Sequence, residues 1–224
     1  MIRIKKVRWI RMDEIQLEEV LPREIEKRSF EIITEELNGR KFPKEQEAII
    51  KRVIHTSADF DYADNLCFSK DAVEIAKEAI KNGACIVTDT RMAKSGINKR
   101  SLAKFGGEVY CFIGDEDVAE KAKIRETTRS AVSMEKAAEL EKDLIFAIGN
   151  APTALVKLYE LMKEGRLQPK LIIGVPVGFV NVVQAKELIM KAPVPYIVAR
   201  GRKGGSNVAA AICNALLYQM DKER

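Results

Sequence analysis

Five short apolar segments, each closed by a turn and followed by a helix-like stretch, constrain this chain more than any other feature. They read "ACIVTD" (84–89), "EVYCFIG" (108–114), "LIFAIG" (144–149), "LIIGVPV" (171–177) and "PYIVARG" (195–201). Their apolar character is continuous, not alternating, which fits strands buried on both faces. Between and after them come "INKRSLAKFG", a charged helical stretch over 115–142, "PTALVKLYELMKEG", "VNVVQAKELIMK" and "SNVAAAICNALLYQM". Parallel strands need crossovers, and helical crossovers cover the faces of a sheet. The expected fold class is therefore α/β, a three-layer sandwich with a mostly parallel central sheet of about five strands.

The segment before residue 69 is different. Residues 1–21 are basic and then acidic and read as an arm with a short strand at most. "LPREIEKRSFEIITEELNG" reads as a helix, with Pro22 in its first turn and Gly39 at its exit. A second helix starts near Pro43; Ile49, Ile50, Val53 and Ile54 mark its buried side, and His55 closes it. Ser69 is placed to cap the helix "KDAVEIAKEAIKNG", which stops at Gly83. No repeat, low-complexity run or linker divides the chain, so the expectation is one domain over 1–224 with an N-terminal helical segment that covers the sheet or builds an oligomer contact.

Composition excludes several function classes. The net charge of +5 comes without a Lys/Arg run carrying interleaved aromatics, so nucleic acid is not signalled. An acidic small molecule suits the excess equally well. Cys67, Cys85, Cys111 and Cys213 form no CxxC pair, and His55 is the single histidine, so no metal site is expected. Cys85 and Cys111 sit in apolar runs and read as buried. The amino terminus lacks the apolar core of a signal peptide, and no apolar run reaches the roughly 20 residues that span a bilayer. A soluble, cytoplasmic protein without membrane contact is expected.

In open α/β sheets ligands bind beyond the carboxyl ends of the strands. The segments found there are "TDTRMAKSG" (88–96), "GNAPT" (149–153), "VPVGF" (175–179) and "ARGRKGGSN" (199–207). In the last, Gly201, Gly204 and Gly205 permit close approach of the backbone to a ligand. Ser206 or Asn207 is placed to cap a helix whose N-terminus attracts anions, and Arg200, Arg202 and Lys203 add charge. An anion site and a plain strand-to-helix turn are both consistent with this segment. "GNAPTALVKL" makes a second helix start, with Asn150 as its cap, Pro152 in its first turn and Thr153 beside it. Neither GxGxxG nor GxxxxGK[ST] occurs, so no nucleotide cofactor is signalled. Arg129, in "RETTRSAVSME", reads either as a bidentate carboxylate binder or as a surface arginine paired with Glu126 or Glu135. His55 reads either as a structural histidine favoured by a helix C-terminus or as a general acid.

Taken together, "RSFEII", "RVIHTSADFD", "GACIVTDTRMAKSGI", "TTRSA", "AIGNAPTAL", "GVPVGFVN" and "ARGRKGGSNVAAA" resemble the precorrin-8X methylmutases, or precorrin isomerases, of cobalamin biosynthesis. The resemblance runs from about Arg28 to Leu217. It implies an intramolecular 1,5-sigmatropic shift of a methyl group from C-11 to C-12 of a corrin macrocycle, giving hydrogenobyrinate or its cobalt form. No methyl donor, redox cofactor or protein-bound metal is implied. It also implies a homodimer and a polycarboxylate tetrapyrrole as the small-molecule partner. The family's histidine falls on His55, as proton donor to a ring nitrogen. Its substrate-binding serine and arginine fall on Ser29 and Arg129. Asn150, Thr153, Arg200, Gly204, Gly205 and Ser206 complete the expected substrate-binding set. Asp59 and Asp61 inherit no role and read as capping groups or pocket-edge contacts. The alternative is a non-catalytic tetrapyrrole carrier with the same pocket.

Overall fold

The structure is a computed structural model that describes residues 8–12 and 15–221. A first compact unit ends at Lys41. In it β1 (Arg8–Met12) and β2 (Ile15–Glu19) pair antiparallel, so the expected arm is a hairpin. A 3-10 turn (Pro22–Glu24) then leads into α1 (Ile25–Glu36). Arg28 on α1 donates to Glu18 on β2 at 2.6 Å, which ties helix to hairpin.

The second unit begins at Phe42. It opens with α2 (Lys44–Ser57), α3 (Tyr62–Asn65), β3 (Leu66–Phe68) and α4 (Ala72–Lys81). There follow β4 (Cys85–Thr88), α5 (Arg91–Gly96), α6 (Lys99–Ala103), β5 (Val109–Tyr110), α7 (Glu116–Ile124) and α8 (Arg129–Ala138). It ends with β6 (Leu144–Ile148), α9 (Pro152–Lys163), β7 (Leu171–Gly174), α10 (Val182–Met190), β8 (Tyr196–Ala199) and α11 (Ser206–Met220). The sheet order is β3-β8-β7-β6-β4-β5. Five strands are parallel, as the apolar runs predict. The sixth, β3, is an antiparallel edge strand absent from the sequence reading, because three residues are too few to show a period.

Both faces of the sheet are buried. Cys85, Val87, Leu144, Phe146, Ile148, Ile172 and Val198 point into a core with Met134, Leu155, Leu158 and Ile189 of α8, α9 and α10. The alternate residues Ile86, Ile145, Ala147, Ile173 and Ile197 are equally buried and face the layer of α2, α4, α5 and α11. The result is a three-layer sandwich. The expected caps of α4 and α9 do not form. Ser69 does not cap α4; its Oγ accepts from the Tyr196 N–H at 2.9 Å. Asn150 does not cap α9; Ala151 holds that position. Among the thiols, Cys85 and Cys213 are buried, but Cys111 is only half-buried, and all four are free.

Strand order reverses between β4 and β6, with β5 on one side and β7 and β8 on the other. Such a switch point leaves a crevice where two loops diverge. Here Asp89, directly after β4 and 1% exposed, closes that crevice. Its carboxylate accepts from the N–H groups of Gly149, Asn150 and Ala151 at 2.9, 2.8 and 2.7 Å. Burial pushes this carboxyl above its ordinary range, while the three N–H donors pull it down. Replacing Asp89 with Ala strands three N–H donors. Urea unfolding of Asp89→Ala is expected to show a loss of about 3 kcal/mol or more, with Asp89→Asn losing less.

Candidate active site

The loops at the carboxyl edge of the sheet are knitted together. Thr90 Oγ1 and Ser206 Oγ lie 2.8 Å apart. The Gly205 N–H donates to the Val175 carbonyl at 2.9 Å. A Cβ on Gly149 would lie 2.7 Å from Ser206 Cα, and one on Gly204 would lie 2.1 Å from the Val175 oxygen. Only glycine fits at these two points of approach. Gly205, with φ of 146°, is the N-cap of α11, so neither Ser206 nor Asn207 caps it. Ser206 spends its hydroxyl on Thr90 instead.

The basic side chains of the 200–206 loop are mostly engaged. Arg200 donates to Glu187 at 3.1 Å. Arg202 lies over the ring of Phe179, 5.9 Å from its centroid. Lys203 donates to Asp59 and Asp61 at 2.6 Å each. Asp59 also accepts from the Asp61 N–H at 3.0 Å. These two aspartates therefore clamp the end of α2 to the loop before α11, a role their local sequence did not show.

His55 lies in the last turn of α2 and is exposed. Ala58, in the left-handed region with φ of 51°, ends the helix and donates to the Ile54 carbonyl at 2.7 Å. His55 lines a cleft of about 270 Å³ with Arg52, Thr56, Gly96, Asn207, Asn214 and Tyr218. The Arg52 guanidinium stacks over Tyr218, 5.2 Å from its centroid. α11 thus contributes both its first turn and its far end to the histidine's surroundings.

Arg129 is exposed in the first turn of α8, which Thr128 caps by accepting from the Ala131 N–H. A cation there opposes the helix dipole, so its charge does not favour the helix. Glu135 is taken by Arg125 at 2.5 Å and by Lys157 at 3.4 Å. Among the described residues no carboxylate pairs with Arg129. It lines a second cleft, of about 440 Å³, with Glu120, Lys123 and Thr127. Thr128 Oγ1 meets Thr153 Oγ1 at 2.9 Å, which joins the start of α8 to the start of α9. Asn150 is exposed beside them, its N–H held by Asp89.

Thr128 meets Thr153 at the starts of α8 and α9, Asp89 holds the turn that leads into α9, and its neighbour Thr90 meets Ser206, next to Asn207 at the rim of the His55 cleft. Arg129 and His55 line separate concavities of one copy. Ser29 lies on α1 in the first unit, its Oγ donating to the Ile25 carbonyl at 2.9 Å. Sequence reading missed Asp89 and Lys186. Asp89 looked like one more polar loop residue. Lys186 on α10 is fully buried, and the signal for it was a lysine on the stripe of Val182, Ala185 and Ile189. Among the described residues no cluster of His, Cys, Asp and Glu is arranged to hold a metal, and no helix is long and apolar enough to cross a membrane.

Comparison with known proteins gives one consistent result. The family model for CbiC, precorrin-8X methylmutase, matches residues 24–219. A cobalt-precorrin-8 methylmutase of Priestia megaterium is 48% identical over 202 residues, covering 90% of each chain. One of Salmonella typhimurium is 48% identical over 205 residues, covering 89% of this chain and 96% of the relative. The crystal structure of a precorrin-8x methyl mutase from Thermus thermophilus superposes with a TM-score of 0.80 at 39% identity, covering 87% of this chain and 96% of the other.

The Lys203 clamp has a pH signature. Hydrogen bonding to Lys203 holds the Asp59 carboxyl below its ordinary range. The contribution of the Asp59–Lys203 pair is therefore complete above about pH 4, the unfolded aspartate value, and is lost as pH falls through the lower folded value. NMR titration of the carboxyl carbons is expected to place Asp59 below about 3.9 and to move it upward in Lys203→Ala.

Proposed function

Because the chain belongs to the precorrin-8X methylmutase family, we propose that it is an isomerase of cobalamin biosynthesis that shifts a methyl group from C-11 to C-12 of a precorrin-8X-type macrocycle, with His55 as proton donor to a ring nitrogen. One observation carries the assignment of His55: the single imidazole of the chain stands exposed in a cleft between α2 and α11. A sigmatropic shift needs no nucleophile and no methyl donor. The protein has to select a tautomer and hold the ring, which a positioned acid and a rigid cleft accomplish.

The surroundings suit an apolar ring bearing carboxylates. Val177, Phe179 and Val180 form an exposed apolar lip, with Phe179 83% exposed beneath the Arg202 guanidinium. Among the described residues Arg129 has no carboxylate in ion-pair contact, and Asn150, Thr153, Arg200, Gly204, Gly205 and Ser206, on the loops after the strands, are proposed to complete the substrate-binding set. Ser29 is assigned to substrate binding on family resemblance. The His55 cleft is smaller than the roughly 300–1,000 Å³ of ordinary ligand pockets. A macrocycle would not be enclosed by it, so a second copy is proposed to complete the site in a homodimer. The two forms of the substrate, metal-free and cobalt-containing, differ in an ion that belongs to the substrate.

His55→Ala is expected to abolish conversion while the corrin product still binds, followed by absorbance with both substrate forms side by side. Normal turnover by His55→Ala refutes the proton-donor role, and tight binding without conversion by the wild-type protein favours a carrier. Arg129→Ala is expected to raise the substrate KM. If the site is shared, mixing inactive His55→Ala with Arg129→Ala, assayed at substrate far below the raised KM where each alone is nearly inactive, restores up to about a quarter of wild-type activity; no recovery in proven mixed dimers argues for a site within one copy.

A further inference from the structure

Val182, Ala185, Lys186 and Ile189 form the buried stripe of α10. Three are apolar, and the fourth is a lysine with no exposed surface. Its Nζ donates to the carbonyls of Gly201 and Lys203, at 2.8 Å in each case. Burial pushes this ammonium down to about 8. An apolar side chain would complete the stripe without burying a charge. The lysine's contribution therefore lies in the loop it holds.

The consequence follows from peptide geometry. In a planar trans peptide the N–H points opposite to the C=O of the preceding residue. Drawing the Gly201 and Lys203 carbonyls onto Nζ turns the N–H groups of Arg202 and Gly204 away from the core. The Arg202 carbonyl is taken sideways by the Gly178 N–H at 3.2 Å. Among the described residues no acceptor meets the N–H groups of Arg202, Lys203 or Gly204. Gly204 is held in register by its approach to Val175, where no Cβ fits.

We propose that Lys186 is a positioning residue for substrate binding, which sets the peptide planes of residues 201–204 so that the loop's N–H groups face a carboxylate of the substrate. This rests on the reading of the chain as a methylmutase acting on a polycarboxylate macrocycle. Lys186 does not touch the reacting atoms and acts through the loop.

The test compares the full-length protein with Lys186→Met, which keeps the length and removes the donor, and with Lys186→Gln, which keeps two N–H donors on a shorter arm. Melting of both variants is expected within about 5 °C of wild type. Hydrogen exchange of the Gly205 amide, the loop amide held by the Val175 carbonyl, is expected to accelerate in Lys186→Met while that of the remainder of α11 is unchanged. The substrate KM is expected to rise roughly tenfold with kcat held within about twofold, and Lys186→Gln is expected to recover part of the KM. An unchanged KM, a fall in kcat at constant KM, or loop exchange equal to wild type overturns the proposal. So does failure of both variants to fold at 25 °C, which makes the lysine a purely structural element. If the wild-type protein binds both substrate forms but converts neither, the methylmutase reading fails, and the Lys186 proposal is decided by the same comparison made on Kd.

Discussion

The carboxylate of Asp89 is the interaction on which the edge of this sheet depends. A doubly wound sheet has one place where successive crossovers diverge, and the backbone of the two flanking loops would be left unsatisfied there. One buried side chain after β4 takes three N–H groups from the turn after β6. That bond set fixes where α9 starts. Through Thr153 it fixes where α8 starts, and through the neighbouring Thr90 it fixes the first turn of α11. Asp89 thus orders the surfaces that carry Arg129, Asn150 and Ser206 without presenting itself to a ligand.

Much of the charge at this edge is spent on holding the protein together. Lys203 and Arg200, which look like anion binders in sequence, have carboxylate partners from α2's trailing loop and from α10. Arg129 has none among the described residues, although it stands at a helix start that disfavours a cation. A positive group that opposes the dipole of its own helix is not explained by helix stability. Lys186 is the complementary case, a cation withdrawn wholly into the core to shape a loop it does not leave.

The clamp between Lys203 and the two aspartates links the histidine's helix to the same loop. Ala58 turns the chain sharply after α2, and Asp59 and Asp61 then reach the 200–206 segment. The rim of the His55 cleft is therefore held from two sides, by α11's own first turn and by this ion pair network. Exposed ion pairs contribute little to global stability, so the network's effect is local, on the placement of the helix end.

Much of the fold was legible along the chain because it follows from short-range periodicity. The five buried parallel strands announce themselves as unbroken apolar runs, and α9 and α11 by their helical pattern. His55 stood out as the single imidazole, and the glycines at 204 and 205 by their spacing before a helix. The antiparallel β3 was not legible, since three residues carry no period, and neither were the partners of Lys203 and Glu135. Those depend on residues about 140 and 10–22 positions away in sequence meeting across loops. By itself the sequence determined the layers, the parallel sheet and which residues could carry chemistry, because hydropathy period and residue type are local properties. Only the tertiary structure decided which charges are spent on the scaffold, that Asp89 pins the switch point, and that His55 and Arg129 line separate clefts, because each is settled by pairing between distant segments.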